Sequence, residues 1–142
     1  MLKEFLLPVF WFIFSYFLVL MVLAARRLMA IRAGLYPFSY FKIYQKNPGD
    51  IFPEKAEQAS RHYINLFELP MLFFFWSILV IITSRISNDM IILAWLYVIF
   101  RNLHTLEHLT RNFIKSRFVL FFISNMVLLF SYIKLALSFY GE

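Results

Sequence analysis

The chain contains no cysteine. Disulfides, Cys-ligated zinc and thiol catalysis by the protein itself are therefore excluded. Charge is also scarce: Asp, Glu, Lys and Arg make up 15% of the 142 residues, against about a quarter in a soluble domain. Acidic residues are the scarcer sign, 8 against 14 basic ones. Glycine and proline are few, at 3 and 5, and Gly34, Pro37, Pro48 and Gly49 fall together in one stretch. What is plentiful is apolar side chain, with 62% of residues hydrophobic and 21% aromatic. A mean hydropathy of +0.72 is hard to reconcile with a water-facing surface. The net charge of +6 could suggest nucleic acid as a partner. That reading is rejected, because the basic residues flank the apolar runs, where Lys and Arg mark membrane ends.

Four apolar stretches carry the hydrophobicity. The first, Phe5 to Ala25, holds no charge and is as long as the roughly 20 residues that cross hydrocarbon. Pro8 falls in its first turns, where a missing N–H is tolerated. A secretory signal is the competing reading. This run, however, exceeds an h-region of about 7–15 residues and ends in Arg26-Arg27, so it is expected to stay in the mature protein. Residues 33–52 form the longest connection. There Tyr36, Phe38, Tyr40, Phe41 and Tyr44, with Lys42 and Lys46, read as an interfacial segment at headgroup level. Asp50 and Pro53 offer a cap and a first-turn residue for the second helix. That helix begins polar and becomes apolar from Leu66 to Ile82, interrupted by Glu68 and Pro70. Ser87 or Asn88 is the candidate N-cap of a third helix, and Phe118 to Ile133 forms the fourth run.

The approximate spans are thus 5–30, 54–83, 88–111 and 117–138 of a single membrane domain, 1–142. Short connections make successive helices antiparallel neighbours. The expected fold is an all-α integral membrane protein, a four-transmembrane-helix up-down bundle. Arg26, Arg27, Arg32, Lys42, Lys46, Lys55 and Arg61 flank the first connection, and Arg101, Arg111, Lys115 and Arg117 flank the third. The other side has Lys3, Arg85 and Lys134. This bias places the first and third connections in the cytoplasm and both termini on the non-cytoplasmic side.

Ionisable residues at membrane depth are costly and mark candidate sites. In the second helix Arg61, Asn65 and Glu68 stand at i, i+4 and i+7, which puts them on one helical face. In the third, Arg101, His104, Thr105 and His108 form a stripe continued by Arg111, Asn112 and Lys115. Arg26, Arg27, Arg61, Arg101 and Arg117 lie near the same membrane face, against Glu68 and Glu107. These cations could serve only to pair with Glu68 and fix helix packing. The excess of arginine instead favours a small anionic ligand, since the guanidinium fork matches a carboxylate. His104-Thr105-Leu106-Glu107-His108 matches the H-x-x-E-H string of one zinc protease class. Glu107 lies off the His stripe and the surrounding arginines would repel Zn²⁺, so no metal is expected.

These residues also resemble a known family. Arg61-His62-Tyr63-Ile64-Asn65-Leu66-Phe67-Glu68 is similar to the R-x-x-x-N-x-x-E signature of the MAPEG family, membrane-associated proteins in eicosanoid and glutathione metabolism. Ala25-Arg26-Arg27 resembles the end of the first span in the leukotriene synthase branch. Arg101-Asn102-Leu103-His104-Thr105, followed by Arg117, resembles the third-to-fourth helix junction of the prostaglandin synthase branch. The resemblance implies a homotrimer with glutathione, or a related low-molecular-weight thiol, bound between subunits near the cytoplasmic face. By that resemblance its contacts would come from Arg61, Asn65, Glu68, Arg101 and His104, and Arg26, Arg27 and His108, at the same membrane face, are expected to join them. Arg117 matches the arginine assigned to thiolate stabilisation, with Lys115 as the alternative. A hydrophobic electrophile would enter from membrane lipid.

Three positions depart from the family pattern. His108 and Phe121 stand where tyrosines are usual, and Phe118 replaces a serine. The Leu-Phe-Glu-Leu-Pro segment looks like a bacterial branch, so a bacterial inner membrane is the expected location. The leading expectation is a membrane thiol transferase or peroxidase-like protein. The alternative is a non-catalytic module that binds a lipid or anion in the inter-subunit cavity.

Overall fold

A computed structural model describes residues 1–35 and 53–140. Among these, every regular element is an α-helix: α1 Leu2–Arg32, α2 Glu54–Leu66, α3 Met71–Ile82, α4 Asn88–Leu109 and α5 Ile114–Leu137. The interfacial aromatic segment and the Asp50 cap read from sequence lie outside the described residues. Pro53 takes the N-cap position of α2, one place earlier than the first-turn position expected of it.

Helices α2 and α3 form one interrupted span, giving four helices long and apolar enough to cross a membrane: Leu2–Arg32, Glu54–Ile82, Asn88–Leu109 and Ile114–Leu137. Only 22–44% of each apolar window is buried inside the protein, so most apolar side chains point outward. Phe10, Phe14 and Phe17 of α1, for example, are all more than half exposed. Such a continuous apolar exterior exceeds what a water-soluble monomer carries. The chain is a multi-pass membrane protein.

Side-chain contacts fix the order of the helices. Arg26 near the end of α1 meets Lys55 and Gln58 at the start of α2, while Phe5 near its beginning meets Trp76 of α3. The α1 and α2–α3 spans are therefore antiparallel. Helices α4 and α5 are antiparallel too, because His104 reaches Arg117 at one end and Asp89 pairs with Lys134 at the other. Between them lies an aromatic core. Phe12 packs edge-on to Phe73 and Tyr97, and Phe73 stacks on Tyr97 with ring centroids 4.6 Å apart. The buried Trp76 donates its Nε1–H to the Ser131 carbonyl at 3.0 Å, which joins α3 to α5.

The helix ends follow from local chemistry. After α1, Gly34 adopts φ +70°, its N–H bonds to Ile31 O, and Leu35 N–H reaches back to Ala30 O. This paired closure needs a left-handed residue, which glycine supplies without strain. The same closure ends α3, with Ser84 N–H on Ile81 O and Arg85 N–H on Val80 O, but the left-handed residue is Ser84 at φ +56°. Helix α4 starts at Ser87, whose hydroxyl accepts from Met90 N–H at 3.4 Å. Of the two capping candidates, Ser87 therefore holds the position.

The break between α2 and α3 positions the site described below. Pro70 has no N–H to offer the Leu66 carbonyl, and its ring would clash there. The chain turns through Phe67–Pro70, with Phe67 N–H on Ile64 O and Met71 N–H on Glu68 O. The released Leu66 carbonyl accepts instead from the Tyr16 hydroxyl of α1, as membrane depth requires of any freed backbone group. Tyr16→Phe strands that carbonyl and is expected to cost about 1–3 kcal/mol. The cost should appear as a lower thermal midpoint in detergent. An unchanged midpoint would mean that the carbonyl finds another donor.

Candidate functional site

The break leaves Asn65 in the last turn of α2, opposite the last turns of α4. Arg101 projects from α4 into this space and is fully buried. One guanidinium nitrogen donates to Asn65 Oδ1 at 2.6 Å. The guanidinium carbon lies 5.2 Å from the centre of the Phe121 ring on α5. Nε and Nη1 of Arg101 are buried with no hydrogen-bond partner. Among the described residues no carboxylate forms an ion pair with Arg101, and Glu68 is itself exposed.

Arg117 stands in the first turn of α5, half-buried. Its position is fixed from two sides. Its backbone carbonyl accepts from His104 Nδ1 at 3.0 Å, and its Nη1 donates to Asn112 Oδ1. Asn112 adopts φ +58°, a left-handed conformation that asparagine tolerates better than most residues. The turn between α4 and α5 can thus aim this amide back at Arg117. The Nε of Arg117 is buried without a partner.

Three buried imidazoles adjoin these arginines. The rings of His62 and His108 are 4.6 Å apart, and His104 lies 5.8 Å from His62 and 5.9 Å from His108. Hydrogen counting fixes two of their tautomers. The Thr105 hydroxyl donates to the Arg101 carbonyl at 3.0 Å, so its 3.0 Å contact with His62 Nε2 must have the imidazole as donor. A carbonyl only accepts, so His104 donates from Nδ1 to Arg117. In the neutral rings this leaves lone pairs on His62 Nδ1 and His104 Nε2, both buried and without partners. The site therefore combines unmet guanidinium donors with unmet imidazole acceptors, and it suits a ligand that carries both carboxylate and N–H groups.

Asn65, Arg101, His104, His108 and Arg117 are brought together. Arg61 and Glu68 occupy an exposed flank of α2 and the break, Glu68 within electrostatic reach of Arg101 but not ion-paired with it, while the buried stripe runs one residue over through Ala59, His62 and Leu66. Arg26 is held within the protein, with Nη1 on Lys55 O and Gln58 Oε1 and Nη2 on Leu109 O at 2.5 Å. It ties α1 to α2 and to the end of α4. Arg27 donates to Ser60 Oγ at 2.8 Å. Lys115 and Arg111 are exposed. Glu107 accepts from Phe113 N–H and stays off the histidine stripe. Among the described residues no group of His, Asp or Glu is arranged to hold a metal ion. His62 is the member that sequence reasoning missed. Its signal was its place in the apolar stripe of α2, where a polar residue needs a partner.

Four apolar helices with a cluster of buried arginine, imidazole and amide at one end define a multi-pass membrane protein. The model of the MAPEG family matches residues 5–137, nearly the whole chain, and the protein belongs to that family. Comparison with curated proteins and with solved structures gave no match.

Proposed function

We propose that this protein is a membrane thiol transferase or peroxidase-like enzyme that activates glutathione, or a related low-molecular-weight thiol, against a hydrophobic electrophile. The observation that carries the reading is Arg101, a fully buried cation that, among the described residues, forms no ion pair and whose side-chain hydrogen bond goes to the neutral amide of Asn65. A charge left unpaired in a dry site is costly, and an anionic ligand removes that cost. Glutathione offers two carboxylates for the guanidinium donors and N–H groups for the free imidazole lone pairs. Its thiol supplies the nucleophile, and a guanidinium such as that of Arg117 favours the ionised form.

A homotrimer with the ligand between subunits fits the exposure of Arg61 and Glu68. These two signature residues look outward from the single chain, where a neighbouring copy would complete the site. Arg26 and Arg27 then act chiefly by holding α1 against α2. The surplus of Lys and Arg at this end supports a cytoplasmic site with both termini opposite, in a bacterial inner membrane. The electrophile, an apolar small molecule, would arrive from membrane lipid.

The test is calorimetric titration of the detergent-solubilised protein with glutathione, paired with conjugation of a reactive aryl halide. Saturable binding and thiol-dependent conjugation are expected. Absence of both removes the enzyme reading. A second reading, a non-catalytic module that binds a lipid or anion in the inter-subunit cavity, is favoured by one observation: Phe121, where the family usually has a tyrosine, lies against Arg101. Co-purified phospholipid in that cavity without thiol affinity would support it.

A further inference from the structure

The stripe of α4 that carries Arg101, His104 and His108 continues one turn deeper into the bundle, to Tyr97. Residues four apart on a helix are neighbours, and long helical side chains lean back towards the N-terminus. Arg101 therefore leans over Tyr97. The Tyr97 ring stacks on Phe73 and packs edge-on to Phe12, and only 1% of the residue is exposed. Its hydroxyl is buried with no hydrogen-bond partner. Buried Tyr and Trp usually find one, as Tyr16 does at Leu66 O and Trp76 at Ser131 O. Tyr97 is the exception.

Tyr97, Tyr16 and Arg101 interact electrostatically with one another, so their polar ends share one space at the inner end of the site. What remains unmet in that space only donates. Tyr16 and Arg101 Nη2 have already taken the facing oxygens, Leu66 O and Asn65 Oδ1. The Tyr97 hydroxyl and Arg101 Nε and Nη1 are left over. Glu68 is within electrostatic reach of Arg101, but it is exposed and, among the described residues, forms no ion pair with it.

We propose that Tyr97 is a further binding residue of this site, its hydroxyl donating together with the free Arg101 nitrogens to one carboxylate of the thiol ligand. The inference rests on the thiol reading above. A carboxylate only accepts, through two oxygens with about four lone-pair positions, and so it matches a set that only donates. The phenol supplies a donor there without burying a second cation, which would be costly. The unmet acceptor of His104, Nε2, belongs to the next turn in the other direction along α4. The ligand is thereby oriented, with a carboxylate inward and N–H groups towards the end of the helix.

The experiment titrates the full chain in mild detergent with glutathione and with S-methylglutathione, which keeps both carboxylates but has no thiol. Tyr97→Phe retains the packed ring and loses only the hydroxyl. Kd for both ligands is expected to rise about tenfold or more, as for a lost hydrogen bond to a charged group. In conjugation assays the change should appear in KM for the thiol, with kcat and its pH profile unchanged. Tyr132→Phe, which removes a hydroxyl bonded to Leu72 O elsewhere in the bundle, should bind both ligands like wild type. The ligand-free thermal midpoint of Tyr97→Phe should not fall, because no bond is lost. A lower midpoint would mean that the hydroxyl is already bonded in the resting protein, and it overturns the proposal. A penalty seen with glutathione but not with S-methylglutathione overturns it too, by placing the hydroxyl on the sulfur. Unchanged affinity in Tyr97→Phe overturns this inference alone. Wild type that binds neither ligand removes the thiol reading and this inference with it.

Discussion

Arg117→Ala is expected to lower kcat for thiol conjugation by about 10²–10³-fold, the loss typical of removing one preorganised group that stabilises developing or bound negative charge. KM for the thiol should change far less, because Arg101 and Asn65 remain to bind it. The fold should survive. The contacts that place α5 at this point run through the Arg117 backbone carbonyl and His104, which alanine retains, and the side-chain bond to Asn112 belongs to the turn. Size-exclusion chromatography should show the same assembly as wild type. The pH dependence separates this role from simple packing. With the guanidinium gone, the thiol ionises nearer its ordinary value of about 8.5. The variant should then recover relative to wild type as pH rises through that value. A rate ratio that stays flat from neutral to alkaline pH would show that Arg117 does not act on the thiolate. Arg117→Lys keeps the charge but loses the planar fork, and should fall between the two.

Much of this arrangement was legible in the sequence, and the parts that were not share a physical cause. The four spans announce themselves because lipid allows only helices with apolar exteriors, and length and hydropathy read that out directly. The interruption after Leu66 was visible in Pro70. Arg101, His104 and His108 could be placed on one stripe because α4 is regular through them. In α2, the stripe through Arg61, Asn65 and Glu68 has the correct period, but its two ends face outward and only its middle reaches the neighbouring helix. Which edge of an amphipathic face is buried depends on where the partner helix sits, and a single sequence does not fix that. The same ambiguity hid His62, which lies one residue from the expected stripe yet is fully buried against His108 and Thr105. Arg26 was read as a ligand contact from its position beside the other arginines. In the folded chain its donors meet backbone and amide oxygens of two other helices. Those bonds could not be read from the sequence, because residue type and depth do not show which neighbouring oxygens an arginine meets.

The opposed effects of replacing Arg101 provide the sharpest separation of binding from stability. Arg101→Met keeps an unbranched stem of similar volume, about two atoms shorter, and removes the charge and all five donors. Without ligand, the native guanidinium has two buried nitrogens unmet, each unmet group costing about 1–3 kcal/mol. Exchange of an uncompensated buried charge for an apolar side chain of similar volume is often neutral or stabilising. The change also strands Asn65 Oδ1, which offsets part of the gain. The ligand-free thermal midpoint of Arg101→Met should therefore equal or exceed that of wild type. Ligand response should move the other way. Wild type at glutathione concentrations near 100 times Kd gains about 2.7 kcal/mol by mass action, seen as a raised midpoint, and the variant should gain almost none. Truncating one partner of a buried charge pair costs about 2–5 kcal/mol of binding, roughly 30-fold or more in Kd, which calorimetry resolves. Two results would sink the idea. Affinity within threefold of wild type would place the ligand elsewhere. A large drop in the ligand-free midpoint would mean that the guanidinium is already neutralised in the resting protein and serves packing. Arg101→Met with Asn65→Leu removes the stranded oxygen as well, and should raise the ligand-free midpoint above that of the single variant.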